Sequence, residues 1–315
     1  MRRGILSLLA VVMFIGMFQD SEAFFGKKKK QDKKFVLITM DSLDEHWQSV
    51  KKGAEEKTEE LEGVELIFKA PEGKVDPNEQ IKMVTDAITQ KVDAILIAPS
   101  DKFALTPVVE RAAAGNIPVI IIDSPLDSDR YLSFIATDNY AAAETAADKM
   151  AELTGAKGKI GIINAQPGSG TTISREDGFK DRVASEYPYM KITAIMYSNG
   201  DEDKASNQAA EILTANPDLV GFYTGNEGST VGVARALTEA GKAGKVKLVG
   251  FDRSGNIMRG IEEGVIDASM VQNPKQMGYK AVEAAYNFIT DGTEPVKYID
   301  TGVKVVTKEN IEDLK

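Results

Sequence analysis

Short apolar runs alternate with longer stretches of helical period from residue 35 onward, and this alternation constrains the fold more than any other feature. The runs are rich in Val and Ile, as buried strands are, and nine of them are predicted strands. They are 35–40, 64–68, 92–98, 117–122, 159–164, 192–197, 219–223, 246–251 and 268–271. Strict alternation of helices with near-continuous apolar strands predicts parallel sheets that are covered on both faces.

The same pattern begins again in the second half of the chain. A long helical segment over 139–153 links the first set of strands to the second. The sequence therefore predicts an α/β protein with two successive doubly wound, Rossmann-like lobes of similar size. Two lobes of this kind leave a cleft between them.

The first residues have the features of an export signal. Arg2 and Arg3 precede an apolar run over 5–18, and Ser21 and Ala23 are small residues at the two positions that a signal peptidase reads. An uncleaved membrane anchor is the alternative, but the run is shorter than the roughly 20 apolar residues of a spanning helix. We predict a signal peptide over 1–23, a solvated basic leader over 24–34, no lipid anchor, and a mature protein in the periplasm.

Composition argues against several classes of function. The chain has 48 acidic and 38 basic residues and a formal charge of −10, which disfavours nucleic acid as a partner. It has no cysteine and one histidine, so neither a thiolate site nor a histidine metal cluster is expected. We predict no metal and no cofactor.

Polar residues follow almost every predicted strand. Ligands of open α/β sheets bind beyond the carboxyl ends of the strands, where loops and helix N-termini converge. The residues at these ends are 41–44, 99–101, 123–124, 137–139, Asn164, Gln166, 226–227, 252–253 and 272–273. Helix capping favours the same residue types and is the simpler explanation for Asp101, Asp138 and Ser254. It explains Gln272 less easily, because Gln is not a favoured cap.

This set of side chains suits a polyhydroxylated ligand. A carboxylate accepts hydrogen bonds from adjacent hydroxyls, Arg donates two hydrogen bonds in parallel, and Asn and Gln both donate and accept. An aromatic ring can cover the apolar face of such a ligand. Trp47 is the only tryptophan and the candidate for this role, but it also lies on the predicted packing face of its helix, so stacking and core filling both remain open.

Eight short strings occur in the order seen in ribose-type periplasmic sugar-binding proteins. They are 41–53, IAPSD at 97–101, IIDS at 121–124, IATDN at 135–139, SREDGF at 174–179, GNE at 225–227, GFD at 250–252 and VQNP at 271–274. The chain thus resembles the type I periplasmic solute-binding family, which delivers ligands to ABC importers, and the resemblance covers essentially all of the predicted mature chain.

The resemblance implies the type I periplasmic binding protein fold, with a three-segment hinge near Thr137, Gln272 and Asp300. The N-terminal lobe would comprise 35–137 and 273–300, and the C-terminal lobe 138–272 and 301–315. It also implies a small polar ligand, most simply a carbohydrate, and an ABC permease in the inner membrane as a partner. The implied ligand contacts are Asp44, Trp47, Asp123, Thr137, Arg175, Asn226, Asp252 and Gln272.

Several positions depart from the family pattern. Many sugar binders of the family have Asp-Arg where this chain has Asp123-Ser124, Asn in place of Ala98, and two aromatic residues in place of His46-Trp47. The ligand is therefore left open among a pentose, a hexose, a polyol and a furanoid signal. His46 is a further candidate contact, although a lone histidine near a helix start is as often an ordinary packed residue.

Several other functions compete with capture of a ligand. The sequence has no G-x-S-x-G, H-E-x-x-H, P-loop or G-x-G-x-x-G signature, so we predict that the protein is not an enzyme and has no catalytic residues. Asp123 and Asp252 could in principle act on a glycoside, but nothing nominates a separate proton donor. A repressor is disfavoured because an export signal stands where a helix-turn-helix would. Presentation of the ligand to a chemoreceptor or sensor kinase is the alternative to import, and a monomer is expected.

Overall fold

A computed structural model describes residues 32–72 and 75–314. The predicted signal peptide lies outside the described residues, as does most of the predicted basic leader. The last two residues of that leader, Lys33 and Lys34, belong to the first strand.

The apolar runs form strands, and all nine predicted strands are present with ends shifted by up to three residues. Three short strands, β5, β11 and β12 below, were not predicted. The strands of the described residues are β1 Lys33–Ile38, β2 Val64–Lys69, β3 Ala94–Ile97, β4 Val119–Ile122, β5 Ser133–Ala136, β6 Lys157–Asn164, β7 Tyr189–Tyr197, β8 Leu219–Thr224, β9 Lys247–Phe251, β10 Ala268–Gln272, β11 Tyr298–Asp300 and β12 Val303–Val306.

Helices fill the segments between the strands. They are α1 Glu45–Glu59, α2 Pro77–Thr89, α3 Thr106–Ala114, α4 Asn139–Thr154, α5 Gly170–Glu186, α6 Glu202–Ala215, α7 Glu227–Glu239, α8 Gly255–Glu262 and α9 Pro274–Asp291. Asp138 and Ser254 cap α4 and α8, as the capping explanation predicts. Asp101 does not cap α3, whose N-cap is Leu105; its Oδ1 accepts from the N–H groups of Phe103 and Ala104 in the turn before that helix. None of the described helices is long and apolar enough to cross a bilayer.

The strands form two six-stranded sheets with the same strand order, which differ in the direction of one edge strand. The order is β11-β5-β4-β3-β1-β2 in one sheet and β12-β10-β9-β8-β6-β7 in the other, and every pair is parallel except β10 with β12. The first sheet, with α1, α2, α3 and α9, is the N-terminal lobe, and the second sheet, with α4 to α8, is the C-terminal lobe. The predicted repetition of a doubly wound unit is thus confirmed.

Both sheets are buried on both faces. Every residue of β3 and β4 is buried, and the two faces of each sheet carry separate apolar clusters. Truncating a buried Ile of these strands to Ala is expected to cost about 2 to 5 kcal/mol of stability. The lobes are therefore rigid units that can hold side chains at their edges.

The chain crosses between the lobes three times. It crosses after β5, again between β10 and α9, and finally between β11 and β12. Gly53 and Gly278 lie where α1 and α9 meet, and a side chain at either position would overlap the backbone of the other helix, so α9 packs closely on the N-terminal lobe. The first and last crossings run side by side, because the N–H of Thr301 donates to the carbonyl of Ala136 at 2.9 Å.

Candidate functional site

A cavity of about 530 Å³ lies between the lobes, at the carboxyl ends of both sheets. Its wall includes eight of the nine ligand contacts predicted from the sequence. They are Asp44, His46, Trp47 and Asp123 from the N-terminal lobe and Arg175, Asn226, Asp252 and Gln272 from the C-terminal lobe. Residues up to 228 positions apart thus meet at one site, because parallel strands of both sheets end there.

Thr137 is the ninth predicted residue, and it does not belong to this wall. It follows β5 at the first crossing, where it is buried, and its hydroxyl donates to the carbonyl of Gly302 at 3.2 Å. The structure therefore places Thr137 between two crossing segments and not at the cavity.

The start of α1 carries three of the wall residues. Asp44 is the N-cap of this helix, and its side chain accepts a hydrogen bond from the N–H of His46 at 2.8 Å. Trp47 is 6% exposed and packs in the apolar cluster under α9, while part of its ring borders the cavity. Its ring meets that of His46 edge to face, with centroids 4.6 Å apart. Trp47 therefore fills the core and also borders the cavity, and its stacking on a ligand stays a prediction.

His46 lies between the two strand-end aspartates of the cavity. Its Nε2 is 3.0 Å from Oδ1 of Asp123 in its own lobe, and its Nδ1 is 3.7 Å from Oδ1 of Asp252 in the other lobe. Because the imidazole is buried between two carboxylates, it links the lobes most strongly when it carries a positive charge.

The electrostatics of this group favour the imidazolium. Burial lowers the pKa of His46, but the hydrogen bond to Asp123 and the charges of Asp123, Asp252 and Asp44 outweigh burial and raise the pKa to about 9. Burial raises the pKa of Asp123, but His46 and the charge of Arg175 outweigh it, and the net shift of this pKa is downward. His46 and Asp123 are therefore an ion pair at neutral pH.

Arg175 is held rigidly within the C-terminal lobe. Its Nε donates to Oδ1 of Asn139 at 2.8 Å, its Nη1 donates to the carbonyl of Gly225 at 2.6 Å, and the guanidinium lies 4.0 Å from the centre of the Phe251 ring. Its Nη2 is buried and has no protein partner among the described residues. A buried donor of this kind costs stability unless a ligand accepts its hydrogen bond.

Asp252 and Gln272 form a second fixed group at this wall. The Nε2 of Gln272 donates to Oδ1 of Asp252, while Oδ2 of Asp252 accepts from the N–H of Glu227 at 2.9 Å. The Oε1 of Gln272 is buried and lacks a protein donor in the described part of the chain. The group thus offers a fixed, unsatisfied acceptor beside a carboxylate.

Asn226 combines capping with a place in the wall. It is the N-cap of α7, and its Oδ1 accepts from the N–H of Ser229 at 3.3 Å and from the hydroxyl of Ser229. Since the cap uses the oxygen, the amide NH₂ is the group that Asn226 can offer to a ligand.

Glu227 also lines the cavity, although it was not among the ligand contacts predicted from the sequence. It is the first residue of α7 and is 8% exposed. The 226–227 segment is one of the polar strand ends noted in the sequence, but an acidic residue in the first turn of a helix is ordinarily explained by the helix dipole, so Glu227 was not among the predicted ligand contacts.

Direct hydrogen bonds join the lobes at the rim of the cavity. The Nε2 of Gln166 donates to the carbonyl of Ser100 at 2.6 Å, and the N–H of Thr171 donates to the hydroxyl of Ser124 at 3.3 Å. The N–H of Lys102 donates to the carbonyl of Gly168 at 3.3 Å. The structure is therefore a closed arrangement of the two lobes.

The chemistry of the cavity is that of a binding site for hydroxyl groups. Its wall offers carboxylates, a guanidinium N–H and amide groups, which together accept from and donate to hydroxyls. Among the described residues, no group of three or more His, Asp or Glu side chains is arranged to hold a metal ion.

Known proteins show the same architecture and sequence pattern. The chain is 30% identical over 263 residues to the ribose import binding protein of Escherichia coli strain K12. This alignment covers 83% of this chain and 86% of that protein. An ABC transporter solute-binding protein from Agrobacterium vitis, with bound D-fucose, superposes with a TM-score of 0.86 at 38% identity, covering 89% of this chain and 97% of that chain. A second ABC transporter solute-binding protein from Agrobacterium vitis, bound with α-D-tagatopyranose, superposes with a TM-score of 0.86 at 33% identity. This superposition covers 90% of this chain and 97% of that chain.

The family profile described as the periplasmic binding protein domain matches residues 35–294, which is most of the chain. On that match, and on the two sheets and cleft described above, the protein belongs to the periplasmic binding protein family.

Proposed function

We propose that this protein is the sugar-binding receptor of an ABC importer. One observation carries the proposal: buried polar atoms that have no partner among the described residues border a cavity whose wall comes from both lobes. The Nη2 of Arg175 and the Oε1 of Gln272 are such atoms, one a donor and one an acceptor. A ligand with several hydroxyl groups satisfies both kinds.

Six of the nine predicted contacts have a chemical role toward the ligand in this proposal. Asp123 and Asp252 accept hydrogen bonds from ligand hydroxyls, one from each lobe, and Arg175 donates to a ring or hydroxyl oxygen. Asn226 and Gln272 supply an amide donor and an amide acceptor, and Trp47 covers an apolar face of the ring. Leaving one of these groups unpaired costs about 1 to 3 kcal/mol, which is the source of selectivity for the matching sugar.

Binding proceeds by closure of the two lobes. We place the hinge at 137–138, 272–273 and 300–301, where the chain passes from one sheet to the other. A sugar bound to one lobe draws the other lobe onto it, since the second set of contacts exists only in the closed form. His46 and the rim hydrogen bonds stabilise the same closed form.

The relatives support import over the alternatives. The Escherichia coli protein is named for ribose import and the first Agrobacterium vitis protein as part of an ABC transporter, whereas no feature of the cleft favours presentation to a chemoreceptor. The named relatives are binding proteins, so a hydrolytic role for Asp123 and Asp252 has no support. We propose that the mature protein works as a monomer in the periplasm and docks in its closed form on a permease of the inner membrane.

A panel of sugars tests the proposal. D-ribose, D-allose, D-fucose, D-tagatose and D-arabinose are to be titrated into the purified mature protein and followed by calorimetry, alongside mass spectrometry of any small molecule released on denaturation. We expect a one-to-one complex with at least one sugar and no turnover of it. Absence of binding across the panel, together with release of a compound that is not a sugar, would refute the proposal.

A further inference from the structure

A second cavity, of about 610 Å³, lies beside the first, where the chain crosses between the lobes. Its wall includes the crossing segments 272–273 and 301–302, and we call it the hinge pocket. His46, Asp252 and Gln272 border both cavities. The volume of the hinge pocket is in the range of small-molecule sites, which is about 300 to 1,000 Å³.

Four cationic side chains line the hinge pocket, two from each lobe. Lys52 and Lys275 belong to the N-terminal lobe, and Arg253 and Lys304 belong to the C-terminal lobe. This concentration of positive charge contrasts with the formal charge of −10 of the whole chain. A concave surface lined by charges of one sign raises the local concentration of ions of the opposite sign.

Acidic side chains offset little of this charge. Asp252 is the single carboxylate among the described residues of the wall, and it is 5% exposed. Its two oxygens accept from the side chain of Gln272 and from the N–H of Glu227. Lys275 also pairs with Glu56 at 2.6 Å, but Glu56 lies outside the wall. The hinge pocket therefore keeps a positive balance.

The fold itself brings these cations together. A Cβ at Gly53 would overlap the backbone of Lys275, so α1 and α9 meet closely beside Lys52. In the other lobe β10 lies between β9, which ends two residues before Arg253, and β12, which contains Lys304. Like charges held near one another by packing repel, and a bound anion relieves that repulsion.

Uncharged donors complete the wall. Thr301 borders the pocket, and its Oγ1 is buried and has no partner among the described residues. The Oδ1 of Asn273 accepts from the N–H of Gln276 at 3.4 Å, which leaves the amide NH₂ as a donor. Pro274 and Lys275 are the first residues of α9, so the positive end of that helix adds to the charge of the pocket.

We propose that the hinge pocket is a second binding site of this protein, for a small phosphate-type anion that contacts cations of both lobes at once. Phosphate has several acceptor oxygens that point in different directions, so one ion can accept from Lys and Arg side chains on opposite walls. This site is separate from that of the sugar, and its existence does not depend on the proposed function.

An anion that bridges the lobes favours their closed arrangement. The wall with two cations from each lobe is that of the closed structure, and movement of the lobes apart would separate the two pairs. Phosphate and sugar should therefore each raise the affinity for the other by the same factor. This coupling rests on the proposed function, since it requires that the sugar be bound by closure.

Calorimetric titration with inorganic phosphate tests the site. The mature protein is titrated in HEPES at pH 7, with the ionic strength held constant by sodium chloride, and we expect one phosphate per protein. The double variant Lys52→Gln with Lys304→Gln removes one charge from each lobe and should bind phosphate at least tenfold more weakly. Neither lysine borders the sugar cavity, so in HEPES alone the variant should keep the sugar affinity of the wild type.

A matched double variant controls for the loss of charge. Lys51 pairs with Glu55 at 3.6 Å on α1, Lys308 follows β12, and neither lines the hinge pocket. Lys51→Gln with Lys308→Gln changes the net charge by the same amount and should bind phosphate as the wild type does. Equal weakening in the two double variants would show general attraction of anions to the surface and overturn the proposed site.

The remaining outcomes are equally clear. Absence of saturable phosphate binding by the wild type, or binding to phosphatidylglycerol vesicles without affinity for free phosphate, would overturn the proposed site, whether or not the variants fold. The sugar for the coupled titration is whichever of D-fucose, D-tagatose and D-ribose gives measurable heat. Phosphate binding that leaves its affinity unchanged would overturn the bridging of the lobes. Phosphate binding with no sugar binding at all would count against the proposed function and leave the anion site intact.

Discussion

Asp123 and Asp252 occupy equivalent positions in the two lobes and share an unusual backbone conformation. Asp123 follows β4 with φ of 63°, and Asp252 follows β9 with φ of 75°. The N–H of each donates to the next strand, to Ile135 at 2.9 Å and to Met270 at 3.0 Å. The left-handed conformation turns each side chain from the sheet edge into the cleft. This conformation carries a steric cost for residues other than glycine.

The backbone strain at Asp252 can be isolated by comparing two variants. Asp252→Gly and Asp252→Ala both remove the carboxylate, but only Gly adopts a positive φ without steric cost. We expect the Gly variant to be more stable by about 1 kcal/mol in urea unfolding. Equal stability, or greater stability of the Ala variant, would show that this turn relaxes and that no strain is stored there.

Arg175→Lys is expected to lower sugar affinity at least tenfold. Lysine keeps the charge, but it cannot bond Asn139 and Gly225 while also presenting a donor to the ligand. Arg182→Lys, on the same helix α5, is the matched control, because Arg182 pairs with Asp148 and does not line the cavity. Calorimetry should show full affinity for the control, and equal affinity for the two variants would remove Arg175 from the site.

The ion pair of His46 should be visible in the pH dependence of stability. Its pKa is raised from 6.5 to about 9. The folded protein thus holds this proton more tightly than the unfolded chain, so the stabilisation is fully present below pH 6.5 and is lost as the pH rises through 9. Relative to His46→Gln, the wild type should lose on the order of 2 kcal/mol in free energy of unfolding over this window. If the free energies of unfolding of the wild type and of His46→Gln changed in parallel from pH 6 to 9.5, the charged pair would be ruled out.

Gly170 is expected to control closure. A Cβ at this position would overlap Pro125 of the other lobe, so Gly170→Ala should keep the lobes apart at the rim. We expect at least a tenfold loss of sugar affinity, with the thermal midpoint of the empty protein nearly unchanged. Gly255→Ala is the control, because the nearest atom to its added Cβ is the flexible carboxylate of Glu45 at 3.9 Å. Recovery of affinity in the double variant with Pro125→Ala would identify the clash as the cause.

The fold could be predicted from the sequence to a large extent, for a physical reason. Central strands buried on both faces leave continuous Val and Ile runs, as in β3 and β4, and such runs are easily recognised. β11 reads Tyr-Ile-Asp at a sheet edge, and only its pairing with β5 makes it a strand. A three-residue edge strand has no periodicity of its own, so no local pattern could have revealed it.

Residues of the cavity wall could be predicted from the sequence only where their position at the end of a strand brings them to the cleft. Eight of the nine candidates border the cavity because the carboxyl ends of both sheets face the cleft. Thr137 also follows a strand, but its hydroxyl is taken up by Gly302, a residue 165 positions away in sequence. Glu227 was missed for the converse reason: its position suggests a helix start, and only the packing of the two lobes makes it part of the cavity wall. Side-chain direction at a strand end depends on such long-range contacts.

A crystal structure of the mature protein with one of the panel sugars tests the central claim most directly. We predict a single sugar in the cavity between the lobes, hydrogen-bonded to Nη2 of Arg175 and Oε1 of Gln272 from one lobe and to Asp123 from the other. A sugar bound elsewhere, or held by the residues of one lobe alone in a closed protein, would contradict this account.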